Sequence, residues 1–343
     1  MARPTRSSGD AVRAPSLGIV VGLIVAAFSC AAVGLVVGRA GLLDTGRDGL
    51  LLELRACRVA TAWLCGGALA LAGAVVQTLF RNPLASPEIL GVSSGATLGA
   101  HLALLFSVFW LGGNGAFGVA PEMLIPIGAT CGALLALLVL LAVMALQEGP
   151  LALLLTGYAL MSLFSGASAF LTSVTQHAWE LNRAFAALSQ GDISGAGPRQ
   201  VLLVLIMTLG GALPVLLSHD TLDVLLTSED EARTLGVDVT RARSWLVVWV
   251  ALLTAGAVAV GGSVAFVGLV VPHALRPWVG VRHRYLLPLA FVAGGGFVVL
   301  CDVACRIAPT RQGIPLGIFT SFIGAPIFLR MLLKQLRRPV PHA

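Results

Sequence analysis

The chain contains few charged residues and only one lysine. Asp, Glu, Lys and Arg make up 11% of its 343 residues, against about 25% in a typical soluble domain. Hydrophobic residues make up 57%, and the mean hydropathy is +0.93. A soluble chain of this length could not bury so much apolar surface, so the composition excludes a soluble globular protein. We expect lipid to surround most of the chain.

The nucleotide-binding loop and the HExxH metalloprotease motif are also missing. Lys334 lies in RMLLKQ, so the chain has no GxxxxGK[ST] loop with which to bind ATP, and it has no HExxH motif. Its six cysteines form no CxxC pair. His101 and Asp302 are the main titratable residues inside apolar runs, and they form no acidic relay. These absences predict a protein that is not an enzyme, holds no metal ion or cofactor, and takes its energy from elsewhere.

Apolar runs predict about ten membrane-spanning helices, because one span needs about 20 apolar residues. The run 244–275 is too long for one helix, and Gly261-Gly262 marks a turn inside it. The other charge-poor runs are 17–38, 59–80, 93–111, 122–146, 151–174, 199–217, 285–300 and 314–329. We therefore predict an all-α, polytopic fold, with a basic tail at 1–16, one transmembrane domain at 17–335 and a second tail at 336–343.

The distribution of basic residues predicts the orientation. With the N-terminus in the cytoplasm, ten crossings place 14 of the 22 basic residues inside. The positive-inside rule therefore favours two cytoplasmic termini. Eight arginines remain outside, more than an inert surface requires: Arg39, Arg47, Arg55, Arg58, Arg183, Arg199, Arg306 and Arg311.

A polar segment interrupts the apolar pattern at 81–100, with the sequence RNPLASPEILGVSSGATLGA. Pro83 and Pro87 stop helix continuation, and glycines recur every four residues from Gly91, a stripe that lets another helix approach closely. Irregular backbone at membrane depth is tolerated where it is buried in protein or lines a cavity. The segment is therefore either a packed re-entrant turn or part of a substrate pathway. Its candidate polar residues are Gln77, Asn82, Ser93, Ser94 and Thr97.

A looser echo of this segment occurs at 314–333, IPLGIFTSFIGAPIFLRMLL, where Thr320 and Ser321 follow Leu316-Gly317. Transporters often place two half-repeats on either side of a pathway at the membrane midplane. Thr320 and Ser321 are therefore further candidates for the pathway.

The largest polar insertion, 219–243, carries the signals of a short helix. Ser228 followed by Glu231 predicts a capping box, Gly236 suits the position that ends a helix, and Thr240 is placed to cap the next span. We predict a cytoplasmic helix at about 229–235, with Ala232 and Leu235 available to contact a partner. A solvated connector is the alternative interpretation.

In order along the chain, these motifs resemble those of the FecCD family. The resemblance covers about 50–335 and rests on RNPLASPEILGVSSGA, SEDEARTLGV, AFVGLVVPHALRPWVGVRHRYLLP, Asp302 with Arg306, and IPLGIFTSFIGAPIFL. It implies the permease subunit of a type II ABC importer with ten helices. It also implies three kinds of partner: a second permease copy or paralogue, two cytoplasmic ATPase subunits that bind ATP and magnesium, and an extracytoplasmic binding protein that delivers the cargo.

The resemblance also implies roles for single residues. Asn82 and Leu84 become candidates for the cytoplasmic gate. The loop that couples to the ATPase would comprise Ser228, Glu229, Ala232, Arg233 and Gly236, with Ser228 where relatives usually have Gly. The basic sockets that receive acidic residues of the binding protein would be Arg55, Arg58 and Arg306. Relatives usually carry Glu-Leu-Pro where this chain has Gly313-Ile314-Pro315.

The expected function is thus the import of a ferric siderophore, with haem and vitamin B12 as alternative cargoes. An ion-coupled secondary transporter would need a titratable residue in the pathway, and a membrane-embedded enzyme would need a clustered nucleophile or metal site. We expect a multi-pass protein of the bacterial cell membrane that contacts lipid and binds no nucleic acid.

Overall fold

The computed structural model describes residues 14–38, 41–42, 49–111, 121–146, 150–227, 229–234, 236, 238–308 and 314–336. These residues form thirteen α-helices, one 3-10 helix (Pro87–Leu90) and one antiparallel pair of two-residue strands, β1 (Val37–Gly38) and β2 (Gly41–Leu42). The helices are α1 (Leu17–Val36), α2 (Gly49–Leu79), α3 (Val92–Leu111), α4 (Pro121–Leu146), α5 (Pro150–Val174), α6 (Trp179–Gln190), α7 (Pro198–Leu217), α8 (His219–Leu225), α9 (Glu229–Thr234), α10 (Val239–Gly261), α11 (Val267–Val279), α12 (His283–Ile307) and α13 (Leu316–Leu336).

Nine of the described helices are long and apolar enough to cross a membrane: α1 to α5, α7, α10, α12 and α13. The predicted break in 244–275 is confirmed, because α10 ends at Gly261 and Gly262 takes a φ of 68°, which glycine adopts without steric cost. The 13 residues of α11 reach only about 20 Å, less than the apolar layer of about 30 Å. The tenth predicted span is therefore a short buried helix.

Helix α2 lies at the centre of the fold. In the most apolar 18-residue window of α2, 83% of the residues are buried, and α1, α7, α10, α11 and α12 pack around the helix. A Cβ on Gly66 would collide with the carbonyl of Gly294 on α12, and one on Gly73 would collide with the carbonyl of Gly268 on α11. Close van der Waals packing is what holds helices together in lipid, so these glycines fix where α2 crosses its neighbours.

The predicted glycine stripe on α3 is confirmed as a packing surface. Gly95 and Gly99 lie against the backbone of α4, and Gly91 lies against that of Gly157 on α5. Gly91 takes a φ of 73° and ends the 3-10 helix. The stripe therefore holds α3 against two neighbours and fixes where its hydroxyl-bearing first turns lie.

The predicted short helix in the polar insertion is also present, as α9. Gly236 follows it with a φ of 82°, as expected of the glycine that ends a helix. Ser228 and Leu235 lie outside the described residues. The predicted cap of the next span is wrong: Asp238 caps α10 by accepting the Arg241 N–H at 3.0 Å. Aspartate caps at least as well as threonine, and its earlier position starts the helix before Thr240.

Candidate functional site

A polar chamber of about 390 Å³ lies where α3, α5, the end of α6, the 3-10 helix and the connection between α10 and α11 meet. Its lining contains one carboxylate, that of Glu88, and three residues without a hydroxyl, Met161, Ala169 and Ala265. The remaining lining residues carry hydroxyl groups: Ser93, Ser94, Thr97, Ser165, Ser168, Thr172, Ser189 and Ser263. Three of the predicted pathway residues, Ser93, Ser94 and Thr97, therefore line a cavity. Their role in a substrate pathway remains a prediction.

Three of the eight hydroxyl groups of this chamber donate their protons to backbone carbonyls. Ser94 donates its proton to the Gly91 carbonyl at 2.9 Å, Thr97 to that of Ser93 at 3.0 Å, and Thr172 to that of Ser168 at 3.0 Å. A hydroxyl has one proton and two lone pairs, so these oxygens can only accept further hydrogen bonds. The Ser168 hydroxyl is buried and has no partner among the described residues.

Glu88 was not predicted from the sequence, and the structure places its carboxylate at the start of α11. One oxygen, Oε1, accepts the backbone N–H of Phe266 at 3.3 Å. Phe266 is the residue before α11 and has a φ of 65°, which is uncommon for a residue other than glycine. The positive end of the α11 dipole favours a negative charge at this position.

A second cavity of about 580 Å³ adjoins the chamber and shares Ser189, Ser263 and Ala265 with it. Ser321 and Gly317, both from the predicted echo segment, line its other side. The 81–100 segment and its echo at 314–333 therefore line two adjoining cavities that share these three residues. A groove of about 810 Å³ between α3, α4 and α5 is lined almost entirely by apolar residues and glycines, which suits contact with lipid.

Two predicted pathway residues point elsewhere. Gln77 is 1% exposed, and its amide donates to the carbonyl of Leu269 at 3.1 Å, which ties α2 to α11. Thr320 is fully buried and donates to the Gly317 carbonyl at 3.1 Å. In this conformation both side chains bond buried backbone groups and line neither of the two cavities, and their role in the pathway remains a prediction.

The predicted gate segment forms a tight turn after α2. Asn82 is exposed, and its side-chain oxygen accepts the Leu84 N–H at 2.9 Å. Arg81 adopts a φ of 46°, and its guanidinium donates to the carbonyl of Leu225, the last residue of α8, at 3.1 Å. The turn is thus tied directly to the segment that leads into α9. The gate role of Asn82 and Leu84 remains a prediction.

A buried histidine makes a second connection to α8. His283, the first residue of α12, is 1% exposed and lies 2.7 Å from the hydroxyl of Thr78 on α2. Its Nδ1 lies 2.6 Å from the carboxylate of Asp223 on α8, which also accepts the His283 N–H at 3.0 Å. Burial opposes the charge on Asp223, but these hydrogen bonds outweigh it and lower the pKa of that carboxyl. We call Thr78, His283 and Asp223 the clamp.

The predicted docking arginines divide into two kinds. Arg306 is 5% exposed, binds the buried carboxylate of Asp302, and donates to the carbonyl of Gly34 at 2.8 Å. Arg58 donates to Asp302 at 2.7 and 2.9 Å. We call Asp302, Arg58 and Arg306 the triad. The Arg306 guanidinium is thus enclosed and already bonded in this conformation, and its role as a socket for an external acid remains a prediction.

Arg55 and the partly exposed Arg58 remain candidates for docking. The Arg55 guanidinium donates to the Val36 carbonyl at 2.9 Å in an exposed contact, and the Arg58 side chain is 24% exposed. Arg55 is thus the docking candidate whose charge is not already neutralised by a carboxylate among the described residues.

The predicted coupling surface on α9 needs one correction. Ala232 is fully buried within this chain, so it packs α9 in place and does not present itself to a partner. Gly236 is exposed. Ser228 lies outside the described residues, as do the side chains of Glu229 and Arg233. The coupling role of the loop remains a prediction.

The letters GVSSG at 91–95 match the GxSxG pattern of serine hydrolases. That pattern requires a strand before the serine and a helix after it. Here a 3-10 helix precedes Ser93, so the structural context for a nucleophile is missing.

Comparison with known proteins agrees with this architecture. The FecCD transport family matches residues 16–334. The cobalamin import system permease protein of Halobacterium salinarum is 39% identical over 81% of this chain and 72% of its own length. The Fe(3+) dicitrate permease protein FecD of Escherichia coli is 35% identical over 83% of this chain and 86% of its own length.

Among solved structures, one described as the inward-facing conformation of a metal-chelate type ABC transporter matches with a TM-score of 0.80. It is 29% identical and covers 92% of this chain and 98% of its own.

Proposed function

This chain belongs to the FecCD transport family as the permease subunit of a type II ABC importer, and we propose that it carries a bulky metal chelate, first of all a ferric siderophore. The polar chamber is the observation that supports this proposal most. Weak, distributed hydroxyl contacts suit a cargo that must enter and leave, whereas a tight charged site would retain it.

A corrinoid is the second candidate cargo, because a relative with 39% identity is a cobalamin permease. Haem is the third, since the hemin transport system permease of Yersinia pestis is 34% identical. The chamber is compatible with each of these classes, so the cargo has to be identified by experiment.

We propose that energy enters through α9. FecCD-type permeases work with ATPase and binding-protein partners, and in this chain the exposed surface of α9 and Gly236 would contact two ATPase subunits. Helix α8 contacts α9, and it is bonded to the gate turn by Arg81 and to α2 and α12 by the clamp. A shift of α9 would thereby move the turn that contains Asn82 and Leu84.

The remaining assignments complete the proposed assembly. A second permease copy or paralogue would face the chamber, and a binding protein would dock near Arg55 on the outer side. Both termini would lie in the cytoplasm of a bacterial cell, as the distribution of basic residues predicts.

The test is uptake by the reconstituted complex of permease, ATPase and binding protein in liposomes. Radiolabelled iron in a ferric siderophore, radiolabelled cobalamin and haemin are offered in parallel with ATP on the ATPase side. We expect accumulation of one class that stops without ATP. Uptake that survives ATP depletion and collapses with an uncoupler would identify an ion-coupled transporter instead.

A further inference from the structure

The polar chamber has a charge and a hydrogen-bonding character of its own. Glu88 is the only side chain that can carry a charge among the described residues that line it, and burial raises the pKa of its carboxyl to about 7. The hydroxyl protons of Ser94, Thr97 and Thr172 are already donated to backbone carbonyls. The chamber therefore offers one carboxylate, three hydroxyls that can only accept hydrogen bonds, and further hydroxyls, among them that of Ser168, that can donate as well as accept.

The adjoining cavity continues this pattern. Ser321 donates its proton to the Gly317 carbonyl at 2.8 Å, which again leaves only lone pairs toward the cavity. The described residues that line this second cavity include no basic side chain. The buried Ser168 hydroxyl lines the chamber without a partner in the described part of the chain, as expected of a group that bonds a ligand.

We propose that Glu88 makes the chamber unfavourable for cargo that carries a net negative charge. This selection refers to the same pathway as the proposed function and rests on it. Neutral or cationic chelates that carry amide or hydroxyl groups find hydrogen-bond partners here. A polyanionic chelate meets the ionised Glu88 carboxylate in a partly enclosed chamber, where like charges are screened less than in bulk water.

The substitution Glu88→Gln isolates the charge. Glutamine keeps an oxygen that can accept the Phe266 N–H, so the start of α11 retains its hydrogen bond. The loss of the carboxylate charge is then the main difference between the two proteins.

The first experiment needs no cargo. Ser165→Cys places a thiol in the chamber lining, and its rate of modification is measured in the purified full chain with two methanethiosulfonate reagents, one a trimethylammonium cation and one a sulfonate anion. The ratio of the two rates, divided by the ratio for a small thiol in solution, reports the local potential. The protein without the introduced cysteine corrects for the six native thiols.

We expect the cation-to-anion ratio of the Ser165→Cys protein to fall by about tenfold when Glu88→Gln is added, the effect of one nearby charge at intermediate dielectric. The matched control is Thr227→Cys, in an exposed position after α8, whose ratio should not change. An equal ratio in the Ser165→Cys protein with and without Glu88→Gln would overturn the proposal.

The second experiment uses the reconstituted complex. A neutral ferric trihydroxamate and a ferric tris-catecholate with a charge of about −3 are compared as cargo, and Glu88→Gln should raise the uptake of the anion relative to the neutral chelate. Unaltered relative uptake would overturn the selection. If no chelate is accumulated with ATP, the proposed function fails, while the thiol measurement still decides the electrostatic character of the chamber.

Discussion

The triad gives the sharpest stability prediction. Asp302 is 1% exposed, and it is the carboxylate that neutralises Arg306, itself 5% exposed. Asp302→Asn would leave a buried guanidinium without a counter-charge, and the loss of one partner from a buried ion pair costs about 3–5 kcal/mol. Arg55 serves as the comparison, because it makes an exposed bond to the Val36 carbonyl; Arg55→Ala should cost about 1 kcal/mol or less.

Both variants are measured by thermal unfolding of the purified chain in lipid nanodiscs, followed by near-UV circular dichroism. We expect Asp302→Asn to lower the midpoint by several degrees and Arg55→Ala to change it little. Replacing Asp302, Arg58 and Arg306 together by leucine should recover much of the loss, since a hydrophobic replacement removes the buried charges as well. An Asp302→Asn protein as stable as the wild type would refute the structural role assigned to the triad.

The remaining predictions concern docking, coupling and packing. Arg55→Glu should weaken binding of the binding protein, most strongly at low salt, without changing ATPase association; unchanged affinity in a titration would remove Arg55 from the docking surface. Ala232→Glu should release α9 and abolish cargo-stimulated ATP hydrolysis, because a charge cannot be buried there unpaired; normal stimulation would count against α9 as the coupling element. Thr78→Val should leave the buried His283 without its hydroxyl partner, destabilise the fold by about 1–3 kcal/mol and slow ATP-driven uptake; an unchanged unfolding midpoint would contradict the clamp. Gly73→Leu should prevent α2 from packing on α11 and reduce the yield of folded protein, which size-exclusion chromatography would measure.

Local signals in the sequence predicted the parts of this structure that depend on local physics. The turn at Gly262, the short helix α9 and the glycine stripe of α3 follow from backbone freedom, capping and small-residue spacing. The cavity-lining hydroxyls of Ser94 and Ser321 were found by the same reasoning.

Helix rotation and distant pairing could not be predicted in the same way. The direction of Gln77 depends on how α2 packs against α11, which a single helix does not encode. Asp302 and Arg58 are 244 residues apart in sequence, although the four-residue spacing of Asp302 and Arg306 is a signal for an ion pair on one helix face. A comparable signal was present on α5, where three hydroxyl residues of the chamber share one helical face: Ser165, Ser168 and Thr172.

The central claim is that this chain supplies a pathway and its partners supply the energy. The most direct test compares liposomes that contain the permease alone with liposomes that contain the permease, ATPase and loaded binding protein, and measures the cargo concentration inside against that outside. We predict accumulation above the outside concentration only in the complete assembly with ATP. Uphill accumulation by the permease alone, driven by an ion gradient, would contradict the account.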